Sequence, residues 1–240
     1  MKIFYLSTVS NNDSFEEIVL KSKKKPSASA QNFELSFFEG FKNQSNAELD
    51  INSFVPIAAY PGGCKLFWGR KKEKFSGKLE TKWIPCFNVQ IIKQFCLKHF
   101  SHLYLKKWLK QNSERKDKCV VMYSLYPPVA ESVIKLCKKF RCKCFVFIAD
   151  LPELQFTTSK PTGIKKILAP FFRGNALNLQ NEFDGYVFFT KQMSEVVGAG
   201  KPYTVIEGVC NPSAFERFSD TEKVKHLQLC MPECFLENTE

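Results

Sequence analysis

The segment Phe183–Pro212 reads FDGYVFFTKQMSEVVGAGKPYTVIEGVCNP and most constrains the fold. Gly185–Phe189 is a short apolar run of the length of a buried strand. Thr190 is placed to cap a short helix over Lys191–Val197, with Met193, Val196 and Val197 on its inner face, and Gly198-Ala199-Gly200 stops it. Tyr203–Ile206 is a second strand, with Glu207-Gly208 at its carboxyl end. A strand, a helix and a strand in that order make a parallel pair, whose sheet needs cover on both faces and takes ligands at its strand carboxyl ends.

The rest of the chain follows the same alternation. Lys2–Thr8 reads as a central strand, and Asn11–Pro26 as a polar loop or weak helix. A helix opens at Ser27, with Ser29 as its cap and Glu34 near the positive end of its dipole, and runs to about Lys42. Phe33, Phe37 and Phe41 give it one apolar stripe. Asp50–Pro56 and Lys82–Phe87 are candidate strands, separated by a Tyr60-Pro61-Gly62-Gly63 turn. Gln90–Lys110 is a long helix with Ile91, Ile92, Phe95, Phe100, Tyr104, Trp108 and Leu109 on one broad face and five lysines interleaved. Cys119–Ser124, Val129–Phe140 and Cys144–Ala149 continue as strand, helix and strand. The fold class expected is α/β, a doubly wound, Rossmann-like parallel sheet with Phe4, Val121, Phe147, Val187 and Val205 in its central strands.

The net charge of +11 points to an anionic partner or surface. Its lysines are scattered over several elements without a reader motif, so nucleic acid is not the expected partner. The ten cysteines contain no C-x-x-C, and several lie inside apolar runs, which fits reduced, buried thiols. Cys137, Cys142 and Cys144 have the wrong spacing for a knuckle, so no metal is expected. No run approaches the ~18 apolar residues of a membrane span, and no signal peptide is read at Met1–Leu6.

Five segments together, Met1–Thr8, Lys25–Glu34, Val120–Ile134, Phe145–Glu153 and Phe183–Pro212, resemble the N-terminal half of a GT-B glycosyltransferase. The similarity is to the bacterial capsule and exopolysaccharide type (group 1, family-4-like). The resemblance implies that Met1–Leu227 is an acceptor-side domain. It also implies a donor domain for the nucleotide sugar, carrying a pair of glutamates in an E-x(7)-E pattern. Gln228–Glu240, which has neither period nor packing pattern, is then expected to be an out-of-frame tail on a truncated enzyme. The function implied is sugar transfer from a nucleotide sugar to a saccharide or lipid-linked acceptor in surface polysaccharide synthesis. The isolated chain is expected to be inactive unless a separately encoded donor half completes it. No cofactor is implied, and the setting is cytoplasmic, at the inner face of a membrane.

Candidate site residues follow from position. Asp150 and Glu153 stand just past a strand's carboxyl end, where a carboxylate can take a proton from an acceptor hydroxyl. Asp150 is the catalytic candidate and Glu153 an acceptor-binding one. Ser27, Ser29, Gln31 and Asn32 open the first long helix with hydroxyls and amides suited to an acceptor; ordinary capping is the alternative. Glu207 and Gly208 are assigned to an interdomain cleft, with Gly208 supplying backbone freedom. Lys106, Lys107, Trp108 and Lys110 are read as a membrane-surface group, against a helix merely packed on the sheet.

Overall fold

The computed structural model describes residues 1–42, 47–75, 79–149, 178–198 and 200–209. The chain divides into two units, Met1–Gly208 and Val209–Glu240, and the first holds the sheet. The expected tail, Gln228–Glu240, lies outside the described residues.

Strand β1 (Lys2–Ser7) is buried from Ile3 onward, as a central strand covered on both faces must be. Of the loop or weak helix expected over Asn11–Pro26, the residues Asn12–Lys21 form helix α1. Its side chains are mostly polar, but Asn11 caps it by accepting a hydrogen bond from Ser14 N at 2.9 Å, and Asp13 and Lys21 suit its two ends. Helix α2 (Ala28–Lys42) starts earlier than expected, so its cap is Ser27, whose Oγ accepts from Ala30 N at 3.3 Å, and not Ser29.

β2 (Glu48–Ser53) pairs with β1 in parallel. The single strand expected over Lys82–Phe87 is two: β5 (Glu80–Trp83) and β6 (Cys86–Phe87). Pro85 lies between them and has no N–H for a ladder. β5 joins the main sheet and pairs with an antiparallel edge strand, β4 (Lys72–Lys74), while β6 pairs with β3 (Phe67–Trp68) in a separate two-stranded ribbon.

Helix α3 (Gln90–Gln111), β7 (Lys118–Tyr123), α4 (Pro127–Lys139), β8 (Lys143–Ile148), β9 (Gly185–Phe188), α5 (Met193–Val196) and β10 (Tyr203–Val205) follow. The sheet order is β10-β9-β8-β7-β1-β2-β5-β4, parallel except at β4. Phe4, Val121, Phe147 and Val187 lie in inner strands of this sheet as expected, whereas Val205, expected in a central strand, lies on the edge strand β10.

The alternation of side chains along β1 divides the core. Phe4 and Leu6 face α3 and α4, joining Val120, Met122, Val146, Leu105 and Val133. Tyr5 faces α2 with Ile51, Tyr123, Phe147 and Phe38. The Phe33/Phe37 stripe does pack on the sheet: Phe33 lies 4.7 Å from Phe189 and Phe37 lies 5.2 Å from Phe147, centroid to centroid.

α3 corrects the expected membrane-surface group. Its buried residues are Leu97, Ser101, Leu105, Trp108 and Leu109, one helical stripe. Trp108 is therefore core, 4% exposed with its ring 5.5 Å from Phe4, while Lys106, Lys107 and Lys110 face outward. Ile91, Ile92 and Phe95, expected on one broad face with Trp108 and Leu109, are exposed while those two are buried.

Candidate functional site at the carboxyl edge of the sheet

The chain runs from β1 to β2 in one direction and from β7 through β8 and β9 to β10 in the other. The reversal falls between β1 and β7, and in open α/β sheets the ligand crevice lies at that point, outside the strand carboxyl ends. Its walls here are the residues leaving β1, Thr8 to Asn11, and those leaving β7, Ser124 to Tyr126. Ser124 has φ 68, a left-handed conformation uncommon for a residue with a side chain. Its half-buried hydroxyl has no hydrogen-bond partner among the described residues.

Two buried carboxylates brace the loop after β1. Glu34, on α2, is fully buried and accepts from Ser7 Oγ (2.7 Å), Thr8 N (2.9 Å) and Thr8 Oγ1 (2.7 Å). Burial pushes its carboxyl up from 4.5 to about 7, against the lowering effect of those donors. Glu73, on β4, accepts from Asn11 N (2.9 Å), Trp83 Nε1 (3.1 Å) and Ser14 Oγ, and pairs with Lys71 at 2.8 Å. Gln31 completes the brace: its Oε1 accepts from Ser10 N at 3.1 Å and its Nε2 donates to Ser10 O. Gln31 is thus buried with both ends of its amide engaged, a fastening of the loop and not a side chain offered to an acceptor. Ser27, Ser29 and Asn32 are exposed beside it at the same edge.

The helix N-termini around the crevice offer few free amides. α4 opens Tyr126-Pro127-Pro128, so two positions lack an N–H, and Val129 N and Ala130 N both donate to Tyr126 O at 3.0 and 2.9 Å. In α2, Ala30 N and Gln31 N are engaged by Ser27. A phosphate at a helix N-terminus needs such groups unpaired. The rim therefore presents hydroxyls and carboxamides, held on a stiff loop, which suit a neutral polyhydroxyl ligand better than a pyrophosphate.

Other expected residues lie elsewhere. Asp150 and Glu153 are outside the described residues. Glu207 and Gly208 are exposed past β10, four strands from β1, or about 19 Å at the usual strand spacing. Gly208 has no positive φ; among the described residues the left-handed glycines are Gly198 and Gly200. Gly62 N and Gly63 N both donate to Ala59 O, so that pair forms a turn and not a phosphate cradle. His102 Nδ1 sits 2.9 Å from Ser132 Oγ between α3 and α4. Among the described residues no group of three His, Cys, Asp or Glu could hold a metal ion. Sequence reasoning missed Thr8, Ser124 and Glu73. Thr8 and Ser124 carried a signal, as hydroxyls ending apolar runs; Glu73 lies in Lys71-Lys72-Glu73-Lys74, which reads as a solvated charge run.

No protein-family profile matches the chain, and no curated protein does. Solved structures do. Sucrose-phosphate synthase from Thermosynechococcus elongatus aligns with 97% of this chain and 53% of its own, with a TM-score of 0.52 and 8% identity. Phytolacca americana UGT2, complexed with UDP-2-fluoro-glucose and pterostilbene, aligns with 95% of this chain and 57% of its own, at a TM-score of 0.46 and 9% identity. A trehalose 6-phosphate synthase from Burkholderia multivorans aligns with 81% and 41%, at 0.41 and 9%. These neighbours are GT-B glycosyltransferases, and the chain spans about half their length. The fold is the doubly wound, Rossmann-like α/β sheet that forms one half of a GT-B structure.

Proposed function

We propose that this chain is the acceptor side of a glycosyltransferase, binding a saccharide or lipid-linked acceptor for sugar transfer in surface polysaccharide synthesis at the cytoplasmic face of a membrane. The observation that carries the reading is the braced, hydroxyl-lined crevice at the switch point of a GT-B-type sheet, with its neighbouring helix N-termini capped or blocked by proline. Thr8, Ser124, Ser27, Ser29 and Asn32 would bind acceptor hydroxyls, and Glu34 would hold Thr8 in place. Asp150 is the proposed base, with Glu153 beside it, and Glu207-Gly208 the approach to a donor domain. The nucleotide sugar would be held by that domain.

The test is binding of neutral oligosaccharides by saturation-transfer NMR to the parent chain, Thr8→Val and Asn32→Ala. Thr8→Val keeps shape and removes the hydroxyl. Loss of one such hydrogen bond should weaken binding about fivefold to tenfold. Saccharide binding unchanged in both variants, or absent from the parent, would remove the crevice from the proposal.

A further inference from the structure

Where α3 packs on α4, two polar stripes line one cleft. α3 contributes Lys98, His102 and Lys106, and α4 contributes Glu131, Lys135 and Lys139, each set at four-residue spacing on its helix. The cleft has a volume of about 320 Å³, within the range of sites for small molecules. Buried Leu136 and half-buried Phe140 add an apolar part to its wall.

The ion pairs leave this cleft cationic. Glu131 accepts from Lys98 at 3.0 Å and from Lys135 at 2.7 Å, which engages both of its oxygens. Lys106 and Lys139 have no ion pair among the described residues. Like charges four residues apart on a helix, as Lys135 and Lys139 are, repel one another. The helix dipole favours a lysine in a last turn, where Lys139 sits, but neither Lys106 nor Lys135 lies in one. His102 registers the potential: burial, and then the charges of Lys106 and His99, hold its imidazole below the ordinary value. Its Nδ1 is engaged with Ser132 Oγ at 2.9 Å, so Nε2 is the ring nitrogen left to donate to an anion.

We propose that the α3–α4 cleft binds a small soluble molecule that ends in a phosphate monoester, with Lys106 and Lys139 as its charge partners and Leu136 and Phe140 against its carbon body. Two unpaired lysines call for two negative charges on one compact group. A phosphate monoester supplies them above its second pKa of about 6, and its oxygens accept charge-assisted hydrogen bonds from both ammonium groups. A bound dianion also offsets the repulsion among the lysines. A nucleotide sugar has no terminal phosphate and is not a ligand of this kind. The inference goes beyond the acceptor reading and does not rest on it, since the cleft shares no residue with the crevice at the carboxyl edge of the sheet.

The experiment is calorimetry of the full chain at neutral pH and low salt, with phenyl phosphate as the probe and phenyl sulfate as its monoanionic counterpart. Phenyl phosphate should bind saturably, and phenyl sulfate about fivefold more weakly or less tightly still. Lys106→Gln/Lys139→Gln, altering exposed side chains, should weaken phenyl phosphate about tenfold or more. Lys23→Gln/Lys191→Gln makes the same change of charge at exposed positions outside both helices and should leave binding as it is. Glu131→Gln releases Lys98 and Lys135 and should strengthen binding. By NMR, the titration midpoint of the His102 ring should rise when phenyl phosphate is added. No saturable heat, equal binding of the two esters, equal losses in the two double variants, weaker binding in Glu131→Gln, or a His102 midpoint that stays in place would each overturn the proposal. Neutral oligosaccharides should bind Lys106→Gln/Lys139→Gln as they bind the parent, so either reading can fail while the other stands.

Discussion

Glu34 turns a conformational feature into a pH dependence. Below 4.5 both the folded and the unfolded chain hold its proton, and no difference arises. As pH rises from 4.5 to about 7, the unfolded chain releases a proton that the folded chain keeps, so stability falls across that window by up to about 3 kcal/mol. Glu34→Gln removes the titration and keeps an acceptor for Thr8 N. Urea unfolding at pH 5 and pH 8 should show a smaller loss in the variant than in the parent; equal losses would mean that Glu34 is not the titrating group. Gly198 makes a second residue-scale prediction. It has φ +72, and an added Cβ would lie 2.4 Å from Tyr186 Cε2, so Gly198→Ala meets both backbone strain and a clash. It should destabilise by about 2 kcal/mol or more in the same measurement. Neither side chain environment could be read in advance. Glu34 in sequence looks like a dipole partner in the early part of a helix, and only the packing of α2 on β1 turns it inward onto Ser7 and Thr8.

At the scale of elements, legibility followed length and pattern. β1, β7, β8 and β9 are near-continuous apolar runs and were readable as buried parallel strands. β3, β4 and β6 have two or three residues each, too few for any period. α3 was readable as a helix but not as to which side it buries, since apolar residues occur all round it. The sheet selects the stripe of Leu97, Leu105, Trp108 and Leu109, and leaves Ile91, Ile92 and Phe95 outside. This makes the two sides of one helix separable by mutation. Trp108→Ala should cost about 3–5 kcal/mol through the cavity left beside Phe4. Lys106→Gln, Lys107→Gln and Lys110→Gln should each stay within about 0.5 kcal/mol, being solvated. Denaturant midpoints would distinguish these outcomes, and a tolerated Trp108→Ala would contradict its place in the core.

For the whole molecule, the direction reversal between β1 and β7 matters most, because it fixes where a ligand can enter, and it follows from the order in which strands and helices alternate. The sequence pattern could reach that far. The braced loop could not be read, because its Glu34, Gln31 and Glu73 come from three elements far apart in the chain. The same loop, with the proline-blocked start of α4, leads to a prediction about what these 240 residues bind on their own. A nucleotide sugar carries a pyrophosphate, and among the described residues several amides that could receive one at the crevice are missing, at Pro127 and Pro128, or engaged, at Ser14, Ala30, Gln31, Val129 and Ala130. The lysine closest to the brace, Lys71, is paired with Glu73. Calorimetry with UDP-, GDP- and TDP-sugars should therefore show no saturable heat below millimolar ligand, a binding free energy of about −4 kcal/mol or weaker. Micromolar binding of any of them would mean that the crevice holds the donor, and the acceptor assignment would have to be given up.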